Sequence, residues 1–388
     1  MPKAQKFSLG DIVRPAAWFQ TPAGQAVLAK AFGEGARLKC GCQSPGVSMY
    51  IGRRGKTYYL ARMPGTGFLH AEDCPSALTG DDLLSGVGHY SPLAVKVLDS
   101  EEYVLNHVPK TPPYQGGDKV SIEGLLDFVL KLSDLNEWHG GSVTFRSWRD
   151  ARGMLVSGAG HLRLFDGSAL FDHLLIPYPF EQNMAEEQQA KAYRFLASDA
   201  GYRYVLSPVK KILKSPYGWG IVLKHMAGLS FWFNDRAGAE WSTYHTMSLN
   251  DAPERLLCLA LVRPTGKDKR AFSVHDLALR RLDARMMPSA GPIADDITDL
   301  FALEHRVFAK PLRFDAPQSA PLADYVLRDD VSRPVLITVQ EDQAESVSAR
   351  VLLANQLSHA NAPVAVFNGR DWRSLPAPPN NSLGGHHS

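Results

Sequence analysis

Residues 40–74 read CGCQSPGVSMYIGRRGKTYYLARMPGTGFLHAEDC, and the two ends of this stretch decide how the N-terminal part of the chain folds. Cys40-Gly41-Cys42 is a short knuckle that offers two thiols from one turn, with Gly41 allowing a tight backbone. His70 and Cys74 stand four residues apart, a spacing that puts both side chains on one face of a helical turn. Between the pairs, Val47–Ile51 and Thr57–Arg62 are strand-like and flank Gly52-Arg53-Arg54-Gly55-Lys56, which predicts a β-hairpin. The hairpin lets the second pair return to the first. Thiolates and imidazole are the ligands zinc takes in a tetrahedron. With Cys40, Cys42, His70 and Cys74 filling all four positions, the site is expected to be closed and structural. The competing reading is three small buried thiols and a surface histidine.

The chain has 388 residues, 45% of them hydrophobic and 21% charged, which excludes wholesale disorder and leaves room for two or three domains. It contains four cysteines. The fourth, Cys258, sits in the apolar run Leu256–Leu261 and reads as a buried, inert thiol. No secretory h-region follows the two lysines of Met1–Phe7, and no apolar run reaches the ~18 residues of a membrane span. A cytoplasmic protein with no membrane partner and no disulfide framework is expected. A net charge of +2 neither demands nor excludes nucleic acid.

Working outward, the pattern predicts a multi-domain α/β (α+β) protein. A zinc-knuckle and β-hairpin domain occupies 1–80. A mostly helical region follows over 81–200, in which Ile122, Leu125, Leu126, Val129 and Leu132 recur at helical spacing. Further helices are predicted over Arg146–Val156 and Glu181–Leu196. The Gly140-Gly141 connection between the helices Ser121–Leu132 and Arg146–Val156 is longer than a helix-turn-helix uses, and Trp138 and Trp148 read as core. Region 201–290 is β-rich, with runs at Tyr202–Leu206, Trp219–Leu223, Leu229–Asn234, Leu256–Arg263 and Phe272–Ala278. Region 291–375 has the order αβββαβ: a helix over Asp295–Val307, strands at Pro311–Phe314, Asp324–Arg328 and Val335–Val339, a helix over Ala344–His359, and a strand at Val364–Phe367. The tail 376–388 has no periodicity and is expected to be disordered.

The αβββαβ order is similar to the core of the PD-(D/E)xK nuclease superfamily. That resemblance implies an Asp at the start of the second strand and a Glu-x-Lys on the third, with the carboxylates holding a divalent metal. Asp324 occupies the first position. Thr338 and Gln340 stand where Glu and Lys are expected, and neither supplies the missing charge. Glu304 on the preceding helix is a candidate auxiliary carboxylate. Glu341 is one residue out of register and points to the other face. The segment therefore reads as a nuclease-like scaffold with a degenerate site built from Asp324, Glu304 and Gln340. An active variant, which alone would need magnesium, and an unrelated α/β domain are the alternatives.

Arg203, Lys210, Lys211, Lys214 and Lys224 fall within Tyr202–Lys224 with no acidic residue between them, and Tyr202, Tyr204, Tyr217 and Trp219 are interleaved. Positive charge for phosphates beside aromatic rings for bases is the composition of a nucleic-acid-binding surface. A solvated basic face is the plainer reading. Lys267, Lys269 and Arg270 form a second basic group at a hairpin tip, followed by Arg280 and Arg281.

Leu38–Cys42, Tyr58–Arg62, Thr66-Gly67 and His70-x-x-x-Cys74 together resemble a bacterial domain-of-unknown-function family often encoded on plasmids and integrative conjugative elements. Leu135–Trp138, Arg146–Trp148, Ile176–Phe180, Lys310–Phe314 and Ala323–Leu327 look like it too, so the resemblance covers about residues 10–372. The layout of a Cys/His cluster ahead of a nuclease-like domain is also similar to the competence protein CoiA. The resemblance implies DNA as a partner, and a protein partner in conjugation or DNA processing. The expected function is a zinc-stabilised nucleic-acid-binding or processing protein. An active magnesium-dependent nuclease and a non-enzymatic interaction protein of the transfer machinery are the alternatives.

Overall fold

The computed structural model describes residues 6–10, 12–54, 57–63, 66, 69–71, 74–76, 85–98, 102–111, 117–140, 145–198, 201–216, 218–226, 228–234, 238, 255–265, 270–317, 320, 322–329, 334–340 and 364–368. The expected helix over Ala344–His359, the basic hairpin tip at Lys267 and Lys269, Tyr217, Glu341 and the 376–388 tail lie outside them.

The N-terminal unit is an antiparallel sheet under one helix. Its strands are β1 (Lys6–Leu9), β2 (Ile12–Pro15), β3 (Lys39–Cys40), β4 (Val47–Arg54) and β5 (Thr57–Arg62), in the order β2-β1-β3-β4-β5. The β4–β5 pair is the expected hairpin, in register from Met49 opposite Arg62 to Arg54 opposite Thr57. Helix α1 (Pro22–Gly33) starts where Thr21 accepts a hydrogen bond from the Gly24 amide, with Pro22 already set at the helical φ. Its Gln25 covers the edge of β5: Nε2 donates to the Tyr58 carbonyl and Oε1 accepts from the Tyr58 amide, both at 2.8 Å. That occupies an edge otherwise open to pairing. Phe7, Phe19, Leu28, Leu38, Met49 and Ile51 form the core beneath, and Cys40 and Cys74 belong to it.

Helix α2 (Ile122–Leu132) is the centre of the molecule. Every residue from Ile122 to Leu130 is buried, so the helix is covered on all sides. Ser121 caps its start by accepting from the Gly124 amide at 3.1 Å. Helix α3 (Trp148–Gly160) opens with a capping box between Ser147 and Asp150. The region is less helical than its sequence suggests. Strands β6 (Val95–Val97), β7 (Tyr103–Leu105) and β9 (Leu162–Leu164) make a small sheet, and β8 (Glu137–Trp138) joins the C-terminal sheet. Such two- and three-residue strands carry too little alternation to be read from sequence.

The β-rich region closes on itself. Helix α4 (Ala185–Leu196) follows β10 (Leu174–Leu175) and precedes β11 (Arg203–Ser215), β12 (Gly218–Leu223), β13 (Ser230–Phe233), β14 (Leu256–Pro264) and β15 (Ala271–Arg281). Their order is β11-β12-β13-β15-β14, and β14 pairs again with the first half of β11. The result is a five-stranded barrel in which β13 and β15 are parallel and the other barrel pairs antiparallel. Val205, Val209, Ile221, Phe231, Cys258 and Phe272 fill it, and Ala192 and Leu196 of α4 belong to the same core. Alternate residues of β14, Leu257, Leu259 and Leu261, point outward into the core around α2. That core draws on residues from Tyr90 to Phe314 and so crosses the 200/201 and 290/291 boundaries read from sequence.

Helix α5 (Pro292–Leu303) leads to a sheet in the order β19-β18-β17-β16-β8, where β16 is Phe308–Ala309, β17 Tyr325–Leu327, β18 Val335–Gln340 and β19 Val364–Asn368. Strands β16, β17 and β18 form an antiparallel meander, and β19 runs parallel to β18. The first strand is shorter and earlier than expected, because Pro311–Phe314 is not a strand. Pro311 has no amide for a ladder. The flanking groups bind elsewhere: the Lys310 amide donates to Asn136 O at 2.8 Å and the Phe314 amide to Asp127 Oδ2 at 2.7 Å. None of the described helices is long and apolar enough to cross a membrane.

Candidate metal centre and basic face

The hairpin performs the return that the spacing asked of it. The Gly41 amide donates to Lys6 O, which fixes the knuckle against β1. Gly41 itself is not sterically required, since a β-carbon there would meet only Lys6 O at 3.6 Å; the residue that needs to be glycine is Gly46, at φ +95°. In the second ligand pair the Cys74 amide donates to Ala71 O, and neither His70 nor Cys74 is in an α-helix.

One ligand atom from each of Cys40, Cys42, His70 and Cys74 lies within 4.8 Å of all the others. Cys40 Sγ and Cys74 Sγ are 3.7 Å apart. His70 Nδ1 is 3.4 Å from Cys42 Sγ and 3.6 Å from Cys74 Sγ. A sulfur–sulfur distance of 3.7 Å is far outside a disulfide. A tetrahedron with metal–sulfur bonds of ~2.3 Å and a metal–nitrogen bond of ~2.0–2.1 Å has edges of about 3.7 Å between sulfurs and about 3.5 Å between sulfur and nitrogen. Three of the six edges of that solid are matched by these distances, and the other three pairs lie within 4.8 Å.

The surroundings suit the same occupant. Cys40, His70 and Cys74 are buried, Cys42 partly so. Burial pushes the Cys74 thiol up to about 12, and its hydrogen bonds to the Cys40 and Cys42 thiols add to the rise. Adjacent thiolates here therefore need a cation among them, because repulsion and desolvation both oppose ionisation. Burial, with Arg62 nearby, lowers the His70 pKa and keeps the imidazole neutral, the form that ligates. Two backbone amides that the sequence reading did not single out aim at sulfur: Ala71 N at Cys42 Sγ, 3.5 Å, and Ser76 N at Cys74 Sγ, 3.4 Å. Both place positive dipoles where a thiolate would carry charge. His70 Nε2 is buried without a hydrogen-bond partner among the described residues, so Nδ1 is the nitrogen aimed at the centre. The four residues can hold a metal ion, and the Cys3His donor set is compatible with structural zinc.

The C-terminal candidates do not converge in this way. Asp324 opens a cleft of about 360 Å³ lined also by Arg280, Ser289, Ala294, Lys310 and Arg313. Its Oδ2 accepts a 2.6 Å hydrogen bond from the Val339 amide, so the carboxylate fastens β18 to the start of β17. Thr338 is fully buried, and its Oγ1 has no hydrogen-bond partner among the described residues. Gln340 lies on β18 opposite Asn368, its side chain outside the described set. Glu304 caps the far end of α5 and pairs with Arg306 at 3.6 Å. Ala294 lines the cleft, and Glu304 is ten residues further along, about 15 Å of helix away. Lys310, the buried cation of the cleft, donates to Asp283 Oδ2 and Pro288 O, both at 2.9 Å.

Carboxylates do cluster nearby, from residues the sequence did not flag. Arg280 Nη2 donates to Asp127 Oδ1 at 2.6 Å and Glu123 Oε2 at 3.2 Å. Asp315 accepts from Tyr90 Oη at 2.7 Å and from the Ser121 amide at 2.8 Å. The signal was Glu123 and Asp127, an acidic pair one turn apart on a mostly apolar helix.

The basic stretch divides. Strand β11 carries a bulge between Val209 and Lys211. Strict alternation would turn one of Lys210 and Lys211 inward; the bulge leaves both exposed. Lys214 is exposed with its Nζ 5.0 Å from the centre of the Trp219 ring, and Lys224 is exposed beyond β12. Arg203 is different. It is buried, its Nη1 donating to Tyr202 O and lying 3.4 Å from His173 Nδ1, so it packs within the fold and does not join the exposed lysines. Tyr204 is buried in the core around α2.

A family model described as "Protein of unknown function (DUF1173)" matches residues 11–102 and 111–373. No curated protein and no solved structure matches the chain.

Proposed function

We propose that this chain, which belongs to the DUF1173 family, holds nucleic acid on the lysine-bearing face of its barrel and uses a zinc ion at Cys40, Cys42, His70 and Cys74 to staple its N-terminal unit. The observation that carries the reading is the bulge in β11, which exposes Lys210 and Lys211 together. Strands β11, β12 and β13 bear no acidic side chain to neutralise them. Five-stranded Greek-key barrels are a common scaffold for binding oligonucleotides, which supports the reading by fold-level analogy. The DNA of a mobile element is the substrate in view.

Cleavage is not part of the reading. A phosphate-hydrolysing site needs carboxylates grouped about a divalent ion, whereas Asp324 is engaged by the Val339 amide and Glu304 caps the other end of α5. The C-terminal sheet then acts as a scaffold with no need for magnesium.

The test is binding of a fluorescent DNA oligonucleotide across a salt series. Changing Lys210, Lys211 and Lys214 together to Ala should weaken binding and flatten the dependence of log affinity on log salt by about 2–3 units. Affinity and slope equal to the parent would move the protein to a non-enzymatic interaction role.

A further inference from the structure

We propose that the barrel face presents Trp232 as a stacking platform, so that the ligand is single-stranded nucleic acid read through unpaired bases. The proposal rests on the reading of the lysine face above.

The geometry begins with Gly220. A β-carbon built there would meet Cζ3, Cε3 and Cη2 of Trp232 at 2.9, 3.1 and 3.1 Å. These are three consecutive atoms of the six-membered ring at nearly one distance, so the ring covers the glycine with its face. An edge-on approach would leave the two neighbours of Cζ3 well behind it. Gly220 is thus the seat on which the indole lies flat, and any other residue would lift it. The ring is fixed in that pose by its Nε1–H, which donates to Ser230 Oγ at 2.9 Å. Trp232 is only partly buried and is not part of the barrel core, whereas its neighbours Phe231 and Phe233 are. One face of the indole therefore rests on the sheet and the ring is presented on the outside of the barrel.

The register places charge on both sides of it. Residues directly opposite on neighbouring strands share a face. Leu213 is opposite Gly220, Gly220 opposite Trp232, Trp232 opposite Ser273, and Ser273 opposite Arg263. These five residues make one row across the outer surface. At about 4.8 Å per strand, Arg263 stands about 10 Å from Trp232 on one side. On the other, Lys211 lies one alternation along β11 from Leu213, about 7 Å away. Arg263 and Lys211 are both exposed.

A flat ring flanked by cations suits a chain whose anionic backbone can run across the strands while a base turns onto the indole. Duplex DNA keeps its base faces stacked on one another and offers only phosphates, so Trp232 would add nothing to its binding. Neutral sugars also stack on indoles, but they make no use of Lys210, Lys211 and Arg263.

The experiment uses the full chain and two probes, a labelled oligothymidylate of about 20 nucleotides and a labelled duplex of the same length, each titrated at several salt concentrations. The single strand should bind more tightly than the duplex. Trp232→Ala should weaken single-strand binding about tenfold, leave its salt slope unchanged, and leave duplex binding as it was. Trp232→Phe should keep most of the affinity, which separates loss of a ring from loss of the fold. If the lysine variant flattens the salt slope but Trp232→Ala binds the single strand like the parent, or the duplex binds as tightly, the platform is wrong and the lysine face stands. If neither probe shows salt-dependent binding, both readings fall. Binding of a neutral glucose hexamer in place of the oligonucleotide would also overturn the proposal.

Discussion

The two ends of the chain both suggest metal, and they keep that suggestion differently. At the N-terminus, side chains from β3, the knuckle after it and the turn at 70–74 bring ligand atoms within 4.8 Å of one another. At the C-terminus, the suggestion rests on an expected order of elements, and there Asp324 faces the Val339 amide and Glu304 faces Arg306. The contrast lies in what each argument used. Cys-x-Cys and His-x-x-x-Cys are statements about side chains that one soft cation can gather. The αβββαβ order is a statement about backbone, and an order of elements by itself places no side chain.

The largest effect that can break this comparison is removal of the metal. With Cys40 and Cys74 built into the N-terminal core, losing the ion leaves crowded thiols where the sheet and α1 meet. Elemental analysis should find about one zinc per chain. Chelation, or Cys74→Ser, should unfold the N-terminal unit and expose it to protease, since structural zinc commonly supplies on the order of 10 kcal/mol to a small domain. The barrel and the C-terminal sheet have their own cores and should survive. A metal-free protein with an intact, protease-resistant N-terminus would reduce the cluster to three buried thiols and a histidine.

Much of this was legible in the sequence, for physical reasons that differ by region. The hairpin between the ligand pairs, α2 and the five barrel strands follow from strong periodicity. The αβββαβ strands from Tyr325 onward follow from β-branched runs at Val335–Val339 and Val364–Phe367. The site was legible because three thiols and an imidazole, all ligands that one soft cation takes, stand in two closely spaced pairs. What was not legible depends on pairing between distant segments. Strand β8 is two residues long and is defined only by its partner β16. The bulge at Lys210 and the platform at Gly220 are facts about register. Arg203 looked like its lysine neighbours, and only packing beside His173 and Phe195 buries it.

A middle-sized effect tests the C-terminal half of the contrast. If Asp324 is a structural acceptor, Asp324→Ala leaves the Val339 amide without its partner, at a cost of about 1–3 kcal/mol. The urea midpoint should fall with little change in m. Asp324→Asn keeps an acceptor oxygen and should lose less. Neither variant should alter nuclease activity, because the parent should show none with magnesium or manganese. Robust magnesium-dependent cleavage that disappears in Asp324→Ala would restore this end to the status of a metal site.

The smallest effect concerns the carboxylates that do gather, around Arg280. Burial is the main reason that Asp127 is raised to about 7, with Arg280 opposing the rise and Glu123 adding to it. A carboxyl whose folded pKa lies above its ordinary value of ~3.9 holds its proton more tightly in the native state than in the unfolded chain. Its contribution to stability is full below about pH 4 and is lost as pH rises through about 7. Stability should therefore decline across that window by up to about 1.4 kcal/mol per pH unit from this group alone. Asp127→Asn cannot ionise. Its absolute stability should be lower, because Arg280 keeps only Glu123 of the two carboxylates it now binds. The informative quantity is the slope: parent minus variant should fall as pH rises from about 4 to 7 and be flat outside it. Asp276, also raised by burial, contributes the same sign in both proteins, and metal release at acid pH is common to both. These terms cancel in the difference. A difference that is constant with pH would mean Asp127 is ionised throughout, held by Arg280, and would make this cluster an ordinary buried ion pair.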